Sequence, residues 1–499
     1  MEKSRNRKQQ RMVMDGAVNN GGDIDRLPND LVIKILSHMS IKRAARTSVL
    51  AHRWRYLWRF SHGHGTLRFD GKHMKKEEFQ SWVNGVLDLH LAPYIEGLII
   101  SFEGGVESHE KASTSRAVER WLNFAMQKEV QRLELNLSFE NLYGRISPTV
   151  RHAFPTRVFC RLRTLEELRS HSFCRLRSLR LSQVHISTNV VHYFLASCPD
   201  LEELCIQFSY NIRGNLRVVD PPSLRVLEIT RCPGIRSLEI SAVSLVSLTY
   251  GGPGNSLLLI KAPNLRELCV RRLMCLFFVF GRNEHSSYFV QLEKLVLDFR
   301  FLSESITLDY QNRDRDWVAP PTLPRLCSLK RLQVHAHTKY GARTPLDIFT
   351  SLIEASPHLC EFRIELSYSV DRRYDARRYE LPRIEGFKVG KFVHRNLKVL
   401  EMSSYVGFGP PEELLVALIW SCPSLERVAI HIGNDFYDNT GVGYFIDKCR
   451  RSKEVVHFAT SREEAKGRAQ RFIAKTRKQK PSLQEWKQCQ WERLEFIVT

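Results

Sequence analysis

The period of the apolar positions changes along the chain, and each change marks a different kind of element. Between residues 23 and 60 the period is helical. Leu31, Ile35, Leu36 and Met39 share one helical spacing. A second set follows at Ile41, Ala44, Ala45, Val49, Leu50, Trp54, Leu57 and Trp58. Pro28 suits a first helical turn and Asp30 suits the positive end of a helix dipole. A helical unit this small buries too little surface to be stable without a partner or a neighbouring domain.

From residue 61 the pattern alternates. Thr66 to Phe69 and Leu98 to Phe102 read as strands, as does the period-two set Leu133, Leu135 and Leu137. Phe79, Trp82, Val83, Val86 and Leu87 form one helical face; Val118, Trp121, Leu122 and Ala125 form another. Recurring strand–helix units predict a solenoid.

Further on the unit becomes explicit as apolar-x-x-apolar-x-apolar. It starts at Leu176, Leu201, Leu224, Ile235, Leu245, Leu265, Leu292, Leu329, Leu359, Leu397 and Leu425. Most starts lie roughly 20 to 30 residues apart, the spacing of leucine-rich repeats. The intervals on either side of Ile235 are only 11 and 10 residues, too short for a helix on the convex side. Three units share a finer pattern. An amphipathic stretch ends at Ser197-Cys198-Pro199, at Ala355-Ser356-Pro357 or at Ser421-Cys422-Pro423, and a leucine follows two residues later. Proline stops the helix and the chain enters the sheet. The cysteine reads as a small packed residue, not a metal ligand.

In such a repeat the apolar residues two apart face the core, and the residues alternating with them face outward on the sheet. This gives Glu203, Cys205, Gln207, Glu228, Glu239, Glu267, Arg271, Lys294, Asp298, Arg331 and His335. The last units add Glu361, Arg363, Glu365, Glu401, Arg427 and His431. The surface is mixed in sign, which suits a protein target better than a phosphate backbone. The candidate target-binding residues are Glu267, Arg271, Lys294, Asp298, Arg331, His335, Arg363 and Glu365. Inserted loops near Asp309–Pro321 and Asp371–Arg383 are expected to border them.

Composition narrows the function classes. With 43% hydrophobic and 10% aromatic residues among 499, a sizeable core is expected. The longest strongly apolar run, Leu273 to Phe280, has eight residues, against roughly 20 for a membrane span. No apolar stretch follows the basic start, so no secretory signal is expected. The twelve cysteines include no Cys-x-x-Cys pair and read as reduced thiols of a cytosolic or nuclear protein.

The formal net charge is +21, from 75 basic and 54 acidic residues. Residues 1–14, 24–60 and 461–480 carry most of that excess. Nucleic acid would require a basic stripe along the main body, and the excess sits at the ends instead. Lys3, Arg5, Arg7, Lys8 and Arg11 make a candidate nuclear-import run. Ser461-Arg462-Glu463-Glu464 reads as a capping box that opens a basic helix to about Lys478.

The run Asp25-Arg26-Leu27-Pro28-Asn29-Asp30-Leu31-Val32-Ile33-Lys34-Ile35-Leu36 resembles the start of an F-box. Ala44-Ala45-Arg46-Thr47-Ser48-Val49-Leu50 with Arg53-Trp54-Arg55-Tyr56-Leu57-Trp58 resembles its end. Ser40 stands where the family often has proline, and Ala51-His52 where Ser-Lys or Ser-Arg is common. The segment from His394 through Leu425 resembles the C-terminal region, FBD-like, of the same family, the plant F-box/leucine-rich-repeat proteins.

The expected architecture is α/β. A disordered basic tail covers 1–22 and a helical F-box 23–60. A leucine-rich-repeat solenoid with a curved parallel sheet covers 61–457, its FBD-like part at about 394–435. A basic helix and tail cover 458–499.

The resemblance implies the substrate-receptor subunit of an SCF-type ubiquitin ligase. The F-box would dock on a Skp-family adaptor and, through it, cullin, while the repeats hold an unknown protein target. By match to the motif, Leu27, Pro28, Leu31, Ile35, Leu36, Val49, Trp54 and Trp58 would form the adaptor surface. No cofactor, metal or membrane partner is implied, and the location would be nucleus, cytoplasm or both. No phosphate-binding loop, His-Glu-x-x-His or Gly-x-Ser-x-Gly occurs, so no bond-making site is expected. Two alternatives stay open: a repeat scaffold without ligase function, and a nucleic-acid binder using the basic termini.

Overall fold

The computed structural model describes residues 27–49, 54–61, 65–72, 74–102, 111–137, 173–184, 186–252, 257–271, 275, 289–299, 325–339, 346–369, 393–405, 410–432, 462–478 and 493–499. The basic run before residue 12, both inserted loops and Ser461 lie outside them. The chain divides into two compact units, Met1–Val150 and Arg151–Thr499.

The first unit opens with helices α1 (Asn29–Ser37) and α2 (Ile41–Arg46), a 3-10 turn at Thr47–Val49, helix α3 (Trp54–Leu57) and a second 3-10 turn at Trp58–Phe60. Pro28 lies just outside α1 as its cap residue, and its carbonyl accepts the N–H groups of Leu31 and Val32 at 3.1 Å each. Val32, Leu36, Ile41, Ala44, Trp54, Leu57 and Trp58 are buried and form the core of these short helices.

Two strand–helix units follow: β1 (Thr66–Asp70), α4 (Lys76–Leu89), β2 (Gly97–Ser101), α5 (Lys111–Gln127) and β3 (Arg132–Asn136). The three strands are parallel, with Leu67 beside Leu98 and Leu98 beside Leu133. Parallel neighbours require a crossover, which α4 and α5 supply. Phe79 packs with Trp82 (5.9 Å), Phe102 (5.0 Å) and edge-on with Trp121 (6.3 Å). Beside that cluster, the Trp121 indole N–H donates to the half-buried Asn84 side chain at 3.0 Å.

The described residues of the second unit hold one parallel sheet of eleven strands. They are β4 (Ser178–Ser182), β5 (Glu203–Gln207), β7 (Val226–Thr230), β9 (Ser247–Gly251), β11 (Glu267–Arg271), β12 (Lys294–Asp298), β13 (Arg331–Lys339), β14 (Glu361–Ser369), β15 (Val399–Tyr405), β16 (Arg427–Ile432) and β17 (Glu495–Val498), adjacent in that order. Helices α6 (Thr188–Ser197), α7 (Leu346–Glu354), α8 (Pro410–Ser421) and α9 (Arg462–Lys478) lie in the connections after β4, β13, β15 and β16.

Between β5 and β11 the returns are strands instead. These strands, β6 (Gly214–Val219), β8 (Ile235–Ser241) and β10 (Leu257–Lys261), form a second parallel sheet in the order β10-β8-β6. The repeat counted from Ile235 is therefore corrected. Its pattern marks a return strand, and successive turns of the main sheet start at Leu224, Leu245 and Leu265. Period-two alternation identifies a strand but not the sheet it joins. A turn of about 20 residues holds two strands of five to seven residues and their bends, with no length left for a helix. The bend into β6 uses Gly214 at φ +78°, a conformation that favours glycine.

A single rung recurs at the entry to the main strands. The N–H of the repeat leucine donates three residues back: Leu201 to Cys198 (3.1 Å), Leu265 to Ala262 (3.2 Å), Leu359 to Ser356 (3.0 Å) and Leu425 to Cys422 (3.2 Å). The accepting residue is buried each time. Burial pushes the Cys198 thiol up to about 12 and raises that of Cys422 as well, so both are inert packing groups.

The tail expected after α9 includes a strand. β17 pairs in parallel with β16, placing Phe496 beside Val428 and Ile497 beside Ala429. Four residues, Glu495 to Val498, are too short a run for a periodicity signal. Among the described residues no helix is long and apolar enough to cross a membrane.

Candidate functional site

Two surfaces in the described residues present chemistry to a partner. The first lies on the short helices of the N-terminal unit. On α1 the inward positions are Val32 and Leu36, four apart. Leu31 and Ile35, one residue earlier and also four apart, are turned about 100° away. They are 48% and 40% exposed, and Val49 at the end of the next turn is 87% exposed. Pro28 is exposed and Leu27 half-buried. Five of the eight residues matched to the adaptor motif thus face solvent at least in part.

Leu36, Trp54 and Trp58 do not. They are buried inside the unit, and their assignment to an interface is corrected to internal packing. The short helices need large side chains to fill their centre, and the two tryptophans with Leu36 supply them. Conversely, Tyr56 and Phe60 are exposed aromatics, with the Arg59 guanidinium 5.0 Å from the Tyr56 ring centre. Sequence pattern did not separate their exposure, because α3 and the 3-10 turn after it are each about one turn long and give no period to read. Lys34, Lys42, Arg43, Arg46 and Arg55 are exposed on the same unit, with Asp30 as the exposed acid.

Beside these helices, α2 and α4 enclose an open groove of about 900 Å³. Trp58, Trp82, Val86 and Leu89 supply apolar walls, and Lys42 sits 6.0 Å from the Trp82 ring centre.

The second surface is the outward side of β11 to β14. Parallel register aligns its side chains in three rows. Glu267, Lys294, Arg331 and Glu361 form the first. Cys269, Val296, Gln333, Arg363 and Glu401 form the second, and Arg271, Asp298, His335 and Glu365 the third. The eight candidate target-binding residues therefore lie on four adjacent strands.

Both signs are mixed within the rows, with Lys294 and Arg331 side by side as cations between Glu267 and Glu361. Lys294 pairs with Glu267 at 3.4 Å, Arg363 with Glu401 at 3.1 Å and with Glu361, and Arg427 with Glu401 at 3.5 Å. His335 Nδ1 contacts the Glu365 carboxylate. At the other end of the face Arg180 and Ser178 hold Glu203. Burial alone would raise the Glu203 carboxyl, but the Ser178 hydroxyl and the Arg180 guanidinium outweigh it and hold the group below its usual range.

Three outward assignments need correction. Asp298 is only 2% exposed; it sits 3.8 Å from Arg271 Nε and offers no open carboxylate. Cys205 is buried, and that burial pushes its thiol up to about 12. Glu239 lies on β8 of the second sheet, paired with Arg217 at 2.8 Å, away from this face. In the first two cases the register keeps the residue in an outward row, but it is buried there.

No group of three or more His, Cys, Asp or Glu side chains that could hold a metal gathers among the described residues.

The F-box domain family matches residues 24–62, and the family described as At1g61320/AtMIF1, LRR domain, matches residues 86–489. An FBD-associated F-box protein of Arabidopsis thaliana is 28% identical over 256 residues, covering 49% of this chain and 60% of the relative. An F-box/FBD/LRR-repeat protein of the same plant is 29% identical over 49% of this chain and 52% of its own length. An F-box/LRR-repeat protein, also from Arabidopsis thaliana, is 31% identical over 45% of this chain and 71% of the relative. The chain spans about half of the length of the first relatives it matches. A helical unit carrying the F-box motif and a parallel repeat sheet matched over most of its length make this chain a member of the plant F-box/leucine-rich-repeat family.

Proposed function

We propose that the chain is the substrate-receptor subunit of an SCF-type ubiquitin ligase. Its F-box binds a Skp-family adaptor and, through it, cullin; the repeat sheet holds a protein target for ubiquitin transfer. The observation that carries this reading is the pair Leu31 and Ile35. Both expose apolar side chains on a helix whose other face is already filled, inside a segment matched to the F-box. Such a pair gains free energy only when a partner covers it. The exposed cations around it suit an acidic partner.

The reading assigns the chain no bond-making step. The receptor contributes proximity: holding a target beside a charged conjugating enzyme turns an encounter into a local reaction. The mixed charges on β11 to β14 support a protein target, since a row of fixed acids and bases selects a complementary row.

The test is reconstitution of the full chain with a plant Skp-family adaptor and cullin. The expected result is a stable ternary complex on gel filtration. A folded chain that stays separate from the adaptor at about 10 μM, a concentration far above the Kd of a stable interface, contradicts the reading and leaves a repeat scaffold.

A further inference from the structure

The sheet of the second unit ends at β17, and no strand lies beyond it among the described residues. In a parallel pair alternate residues bond to each side. The N–H groups of Glu495 and Thr499 donate to β16 at 2.9 and 3.1 Å, and the Thr499 carbonyl accepts from Ile432 at 2.9 Å. Phe496 and Val498 therefore direct their N–H and C=O groups toward the other edge. Sheet edges are normally blunted by short length, charge, proline or a bulge. β17 is short and opens on the exposed Glu495, but it has no lysine, proline or bulge, and its apolar run Phe496, Ile497 and Val498 is half-exposed.

A second observation says what kind of strand fits. Helix α9 packs on β16 and β17 through Ala465, Ala469, Phe472, Ile473 and Thr476. From Ala465 onward it carries six cations and no acid, and Arg471, Lys475, Arg477 and Lys478 are exposed. Arg477 reaches β17, its guanidinium 5.0 Å from the Phe496 ring centre. The edge thus offers backbone hydrogen bonds beside a concentrated positive field.

We propose that the β17 edge is a docking site for an extended acidic peptide of another protein, which adds to the sheet as its next strand while its carboxylates lie in the field of α9. Strand addition takes affinity from the main chain and specificity from the flanking side chains. The site is independent of the ligase reading, since it uses neither the F-box nor the rows on β11 to β14.

The probe is a blocked peptide of about six residues, a usual strand length, alternating threonine and glutamate, titrated against the full chain. A threonine–lysine peptide serves as the control. Binding of the acidic peptide alone, weakened by salt, is the expected result. Val498→Pro removes an N–H that faces the open edge and leaves the β16 ladder intact, so it should weaken binding about tenfold with the thermal midpoint kept. Lys475→Glu with Lys478→Glu touches no backbone group and should weaken it about fivefold. Equal binding of both peptides overturns the proposal. So does full affinity in either variant, or a concentration-dependent dimer that Val498→Pro dissolves, which would make a second copy of the chain the occupant.

Discussion

At the scale of single residues, one position decides whether an apolar side chain packs or presents. Leu36 and Ile35 are neighbours in sequence and equally apolar, yet one is fully buried and the other 40% exposed. The motif match could not separate them, because a family pattern records which residues occur and not which way they point. The same holds for Trp58, buried, and Val49, almost wholly exposed. Opposite outcomes are therefore expected from truncating each. Trp58→Ala removes a large core side chain and should cost about 3–5 kcal/mol of stability. Val49→Ala should shift stability by less than about 0.5 kcal/mol. Urea unfolding of the two variants, followed by far-ultraviolet circular dichroism, distinguishes them.

Asp298 makes the point for the sheet face. Alternation and register put it in the outward row, yet it is buried, with the Arg271 guanidinium 3.8 Å away. Removing that guanidinium takes a cation from beside a covered carboxylate. Arg271→Ala is expected to destabilise the repeat unit by about 1–3 kcal/mol, and Arg271→Ala with Asp298→Ala to recover part of the loss. A double-mutant cycle in urea measures it, and strict additivity would show that the two groups do not interact.

At the scale of elements, strands and helices were legible wherever the apolar period ran long enough, as in α4, α5 and β11 to β14. The second sheet was not. β8 carries the same alternation as a main strand, and only its pairing with β6 and β10 assigns it elsewhere. β17 was missed for want of length.

The rung before each main strand was half legible. Its cysteines were visible in Ser-Cys-Pro, but one turn uses a histidine. His394 is buried; its Nδ1 accepts from the Leu397 N–H at 3.1 Å, so its Nε2–H donates to the Ser356 carbonyl at 2.9 Å. Burial lowers its pKa from the usual 6.5, with His358 adding to the shift and the Ser356 bond opposing it. The sign follows from proton uptake. The unfolded chain takes up the proton first, so the contribution is full above about 6.5 and is lost as pH falls toward the lower folded value. His394→Gln should lower the urea midpoint at pH 7.5, and the gap to the parent should narrow at pH 5.5. A gap independent of pH would mean that His394 does not titrate in this way.

At the scale of the whole molecule, family and domain order were more legible than detail. The order of a short helical motif and a long repeat sheet is readable from periodicity and spacing, because those depend on many residues at once. Which charges on the sheet stay open depends on single neighbours and was not readable.

Under the proposed reading the two surfaces act separately. Glu267→Lys, Lys294→Glu, Arg331→Glu and Arg363→Glu together reverse a charge pattern on β11 to β14. They are expected to reduce target capture while adaptor binding remains, as quantified in paired pull-downs from one extract. Loss of both would mean the variant is unfolded or the two surfaces are one.

The most direct measurement is the affinity of a Skp-family adaptor for the full chain and for Leu31→Glu with Ile35→Glu, by calorimetry. Both positions are exposed, so the variant should keep the fold and thermal midpoint of the parent. Covering two carboxylates with an apolar partner costs several kcal/mol, and adaptor affinity should fall by about a hundredfold or more. A folded double variant that binds the adaptor as tightly as the parent would contradict the account.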